Sequence, residues 1–129
     1  SVLLYSVSTH PDEARKAALA GAILEGDDLC LSAQVLQEFY VQATRTSRRG
    51  ALTHDDAVAL VGTWLRFPVQ ETTMDLARNA FAARARWQLS YWDAAVIEPA
   101  RLRGCREVLS EDMAAGQDYG GIRVTDPFA

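Results

Sequence analysis

Lysine is almost missing from this sequence: of its 13 basic residues, Lys16 alone is not an arginine. A phosphoryl-accepting or phosphatase-type reading wants an aspartate directly after the first strand and a lysine close by, and the residues after 2–6 offer neither. Cysteine is equally scarce. Cys30 and Cys105 stand singly, without metal-ligand spacing and each beside an apolar run, and are expected to be buried thiols in a reducing compartment. No apolar stretch approaches the ~20 residues a membrane span requires. The apolar start at 1–5 is too short for a signal peptide and is interrupted by His10-Pro11-Asp12. A cytoplasmic location without membrane contact is expected. Histidine is sparse too: His10 and His54 fall in loop or helix-start settings, and nothing places either near the acids singled out below.

What is present suits one folded domain. The chain has 129 residues, 49% of them hydrophobic and three of them Trp, which is enough for a core without disulfides or a structural metal. The 23% of charged residues describes an ordinary surface and speaks against intrinsic disorder. A formal net charge of −4 argues against a protein that coats nucleic acid broadly. Arg45, Arg48 and Arg49 nevertheless form a local basic stretch whose planar forks suit phosphate or carboxylate, and a solvated helix end explains the same residues.

Val2–Ser6 and 29–31 read as short buried strands, with further strand candidates at 67–69, 106–109 and 122–125. Between them lie helical patterns. Pro11 suits a first helical turn with Asp12 and Glu13 at its positive end. Ser32 is placed to cap a helix over 33–46, whose core stripe is Val35, Leu36, Phe39, Tyr40 and Ala43. Thr53, with Asp56 three residues on, opens the next helix; Thr73 and Ser90 open two more. Pro99 is expected to kink the last of these or end it early. Strands alternating with helices predict an α/β fold with a parallel sheet, in which ligands bind beyond the carboxyl ends of the strands.

Three acids are candidates for chemistry. Glu38 sits at the margin of the core stripe of its helix, Asp93 in the first turn after Ser90 that Tyr91 and Trp92 crowd, and Asp112 in the loop beyond the strand at 106–109. Each also has a plain structural explanation: a surface glutamate, a capping acid and a turn residue. Together they suit a hard cation such as Mg²⁺ or Mn²⁺, because clustered carboxylates raise one another's pKa unless a cation sits among them. A bound metal of that kind polarises a phosphodiester and activates water.

The stretches VLLYSVS at 2–8, LSAQVLQEFYVQATR at 31–45, LSYWDAAVIEPARLRGC at 89–105 and LSEDMAAGQDYGGIRVTDPF at 109–128 resemble the PIN-domain ribonucleases, and within them the VapC-type toxins of bacterial toxin–antitoxin pairs. The resemblance covers nearly the whole chain. It implies a single PIN-like domain over 1–129 with a three-layer α/β/α sandwich around a parallel sheet. It further implies a Mg²⁺- or Mn²⁺-dependent endoribonuclease that hydrolyses RNA, forms a homodimer and is silenced by a cognate antitoxin. Carried over by motif, Glu38, Asp93 and Asp112 correspond to metal-holding catalytic acids, and Ser110 to a hydroxyl partner of the site. Arg45, Arg48 and Arg49 become candidates for contacts with the RNA backbone, and Tyr40, Trp64 and Phe67 for an apolar dimer surface.

The chain departs from the pattern in one respect. Ser1 matches the residue that closes an Asp-x-Asn/Ser motif, so the family's first aspartate would stand two residues earlier, and the N-terminus is expected to be truncated there. The alternative to a nuclease is a catalytically impaired PIN-like module that binds a partner or regulates.

Overall fold

Residues 2–6 form a helix, α1 (Val2–Ser6), where the sequence suggests a strand. The Ser1 hydroxyl oxygen accepts the Leu4 N–H at 3.4 Å, and the Ser6 hydroxyl donates back to Leu3 O at 2.6 Å. A short unbroken apolar run carries no period, so local capping decides its state. Only Leu3 of the run is fully buried, while Val2 and Leu4 pack half-covered against the core, the one-sided pattern of a surface helix.

The computed structural model describes all residues, 1–129, and the chain divides into two compact units: 1–69 with Phe128, and 70–127 with Ala129. In the first unit α1 is followed by a 3₁₀ turn (Pro11–Glu13) and α2 (Ala14–Leu24). Then come a short strand β1 (Leu31–Ser32), α3 (Ala33–Ala43) and α4 (His54–Trp64). Ser32 caps α3 through the Val35 N–H at 3.2 Å, and Thr53 caps α4 through the Asp56 N–H at 3.1 Å, both as the sequence indicates. β1 pairs with β2 (Val69–Gln70), and the Leu31 N–H donates to Pro68 O at 2.9 Å. The strand expected at 67–69 thus starts later, because Phe67 turns into the core instead.

That core joins Leu3, Leu24, Leu36, Phe39, Ala43, Ala57, Trp64 and Phe67, with Phe39 and Trp64 edge to face at 4.7 Å. Trp64 and Phe67 therefore hold this unit together and offer no dimer surface. Tyr40 is half-buried, with its hydroxyl 2.9 Å from His54 Nδ1. The expectation of buried thiols fails for Cys30, which is exposed, whereas Cys105 is half-covered. Leu29 and Leu31 pack against the core, and the alternation of side chains along the segment turns Cys30 outward.

The second unit is built on α5 (Met74–Trp87), α6 (Tyr91–Leu102), β3 (Glu107–Leu109) and β4 (Arg123–Thr125). β3 and β4 run parallel, with Glu107 opposite Arg123, Val108 opposite Val124 and Leu109 opposite Thr125. Ile97 of α6 packs on Val108 and Val124, together with Met113, Tyr119 and Ile122. Small side chains, Ala80, Ala83 and Ala94, let α5 and α6 approach closely. A parallel sheet with helices flanking it gives the α/β class expected from the sequence. Pro99 lies inside α6 without ending it: the helix runs on to Leu102, and the Arg103 N–H still reaches Pro99 O at 3.1 Å. Ser90 caps α6 by accepting the Asp93 N–H at 3.1 Å. Ser90→Ala is expected to lower stability by about 1 kcal/mol, visible as a shift of the urea midpoint, with Ser90→Asp retaining most of it. No helix is long and apolar enough to cross a membrane.

Candidate functional site

The sequence-predicted acids sit on three different kinds of support. Asp93 occupies the first turn of α6, its N–H engaged by the cap and its side chain half-exposed. The capping arrangement suggested by Ser90-x-x-Asp93 is therefore real, and it fixes the Asp93 backbone. Asp112 is exposed in the turn that leaves the carboxyl end of β3. Ser110 organises that turn, since its hydroxyl oxygen accepts the N–H groups of Asp112 at 3.2 Å and Met113 at 3.3 Å. The Ser110 N–H in turn donates to Thr125 O at 2.9 Å, which ties the turn to the end of β4. Met113, next to Asp112, is buried in the core, so the turn is anchored on its inner side.

Glu38 belongs to the first unit, on the exposed side of α3, where its carboxylate accepts from Gln34 Nε2 at 3.2 Å. Leu36, Phe39 and Ala43 are the buried positions of the helix, and Glu38 falls beside that stripe as the 3.6-residue period requires. Ser110 and Asp112 are thus brought together by one turn and Asp93 lies on the helix of the same unit, while Glu38 is carried by the other. No group of three or more His, Cys, Asp or Glu side chains gathers in a way that could hold a metal ion. The cradle expected of Glu38, Asp93 and Asp112 for Mg²⁺ or Mn²⁺ finds no support in such a group.

Residues 1–115 match the family model of the PIN domain. The chain belongs to the PIN-domain family. Comparison with curated proteins finds no match.

The structure also shows a charged pair that the acid-centred reading passes over. Glu98 of α6 is buried, its side chain 8% exposed, and both its carboxylate oxygens accept from Arg101 Nε, at 3.2 and 3.3 Å. Arg101 spends its other donors on the chain leading into β4: Nη1 reaches Gly120 O at 2.8 Å and Nη2 reaches Tyr119 O at 2.6 Å. One guanidinium therefore neutralises a buried acid and holds down the far end of the loop that begins with Ser110 and Asp112. The i,i+3 spacing of Glu98 and Arg101 was the available signal in the PIN-domain sequence.

Proposed function

We propose that this PIN domain, residues 1–129 acting as one PIN-like unit, serves as a partner-binding or regulatory module in which metal-dependent cleavage of RNA is impaired. The observation that carries this reading is the lack of any three-acid group able to hold a metal ion, in a family whose chemistry is associated with metal. An exposed aromatic surface on the second unit supports it. Trp92 is 64% exposed and Phe81 56%, and Tyr91 links them with ring centroids at 5.0 Å from Trp92 and 5.4 Å from Phe81. Contiguous aromatic surface of this kind is characteristic of sites that receive a partner. The partner in this reading is protein, either a second copy of the chain or a cognate antitoxin-like inhibitor.

A second reading is favoured by the acids themselves. Glu38, Asp93 and Asp112 remain at the positions of the VapC-type motifs, and Ser110 holds the Asp112 turn by two amide hydrogen bonds. In that reading the domain is an endoribonuclease toxin that uses Mg²⁺ or Mn²⁺, with Asp93 and Asp112 as its principal acids, Glu38 assisting and Ser110 positioning Asp112. Arg45, Arg48 and Arg49 would then touch the RNA backbone, adding affinity without reading bases.

Incubating the chain with structured and single-stranded RNA, with and without Mg²⁺ or Mn²⁺, separates the two. The expected result is cleavage no faster than in a protein-free control, unchanged by Asp93→Asn. Metal-dependent cleavage that disappears in Asp93→Asn, with an unaltered circular dichroism spectrum, establishes the nuclease and overturns the module reading.

A further inference from the structure

A cavity of about 250 Å³ in the first unit is lined by Ser8, His10, Asp12, Glu13, Arg48 and Arg49. Two loops far apart in sequence make it. Gly50, at φ +73°, lets them meet, because a Cβ there would stand 3.1 Å from Thr9 Oγ1. The volume lies below the range for drug-sized ligands, so the occupant is small.

Donors from two segments meet in this cavity. His10 Nδ1 accepts the Asp12 N–H at 3.1 Å. A neutral imidazole has one acceptor nitrogen, so Nε2 carries the proton. Nε2 nevertheless faces Arg49 Nη1, another donor, at 3.4 Å. An oxyanion lying between His10 and Arg49 accepts from both and resolves the opposition. Neither Arg48 nor Arg49 has an ion-pair partner of its own.

The two carboxylates of the cavity narrow the choice of anion. Asp12 is 90% exposed, with one carboxylate oxygen 3.8 Å from His10 Nδ1 on the side of the ring away from Arg49. Glu13 is held inward by the Ser8 hydroxyl, which donates to Oε1 at 2.6 Å and leaves Oε2 as an acceptor. A carboxylate beside an anion repels it unless the anion carries a proton to donate. Sulfate and phosphodiesters have none at neutral pH, whereas hydrogen phosphate and a protonated phosphate monoester do. We infer that the cavity formed by His10, Glu13, Arg48 and Arg49 binds a phosphate that still bears a proton, free or at the end of a chain, and discriminates against sulfate.

The test titrates the full chain at constant ionic strength with inorganic phosphate, with sulfate, and with an oligoribonucleotide bearing either a 5′-phosphate or a 5′-hydroxyl. Heat and the His10 imidazole nitrogen resonances are followed. Phosphate is expected to shift the His10 signals and to bind roughly tenfold more tightly than sulfate, a difference worth one charged hydrogen bond. Glu13→Gln should erase that preference, and Arg48→Gln with Arg49→Gln should weaken phosphate by roughly tenfold or more. Tighter binding of the 5′-phosphorylated strand than of the 5′-hydroxyl strand identifies a chain end as the source, and equal binding of the two strands beside a His10 response to inorganic phosphate identifies the free ion; both support the site. No shift of His10 with phosphate, or equal binding of sulfate and phosphate to the unmodified protein, overturns the inference without relying on any variant.

Discussion

Arg101→Ala is expected to lower stability by about 3 kcal/mol, far more than an exposed ion pair would account for. Glu98 is buried, and removal of the guanidinium leaves its carboxylate without a countercharge. The carbonyls of Tyr119 and Gly120 lose their donor in the same step. Arg101 itself is about one-third exposed (35%), so water enters once it is gone, which keeps the loss near the low end of the range for a broken buried pair. Glu98→Gln should be milder, at about 1 kcal/mol, because the amide oxygen still accepts from Arg101. Urea unfolding decides the matter: an Arg101→Ala midpoint equal to that of the unmodified chain would mean the pair is structurally idle.

The other large effect is expected at Phe39. Its side chain is 2% exposed, stands edge-on to Trp64 and belongs to the cluster that ties α1, α3 and α4 together. Phe39→Ala should cost about 3–5 kcal/mol, combining lost transfer energy with an unfilled cavity. Phe39→Leu keeps most of the volume and should cost less than half as much. Because Glu38 is the next residue, loss of function in a Glu38 variant must be compared with this packing effect. Glu38→Gln, at an exposed position, should leave the unfolding midpoint within about 0.5 kcal/mol of the unmodified chain.

The sequence disclosed what is decided locally. Ser32, Thr53, Thr73 and Ser90 each cap the helix they were expected to open, since a cap needs only a side chain and an amide three residues on. The parallel pair of β3 and β4 and the α/β class followed from alternation of apolar segments. What stayed hidden depends on the third dimension. Residues 2–6 have no period to tell strand from helix, and the cap at Ser1 settled it. Trp64 and Phe67 are as apolar as any surface patch, and only packing shows them inside. The acids were identifiable one by one, but whether they converge is a property of the folded chain. His10 and Arg49, 39 positions apart, had no sequence relation to give their meeting away.

The direction of the last strand has a consequence for how this protein changes over time. With β3 and β4 pointing the same way, the segments that leave them, Ser110–Asp112 from one and Asp126–Pro127 from the other, emerge on a shared rim. An antiparallel partner would have sent them to opposite rims. A few substitutions in either exit would alter the chemistry of that rim and leave the hydrophobic layer beneath it untouched.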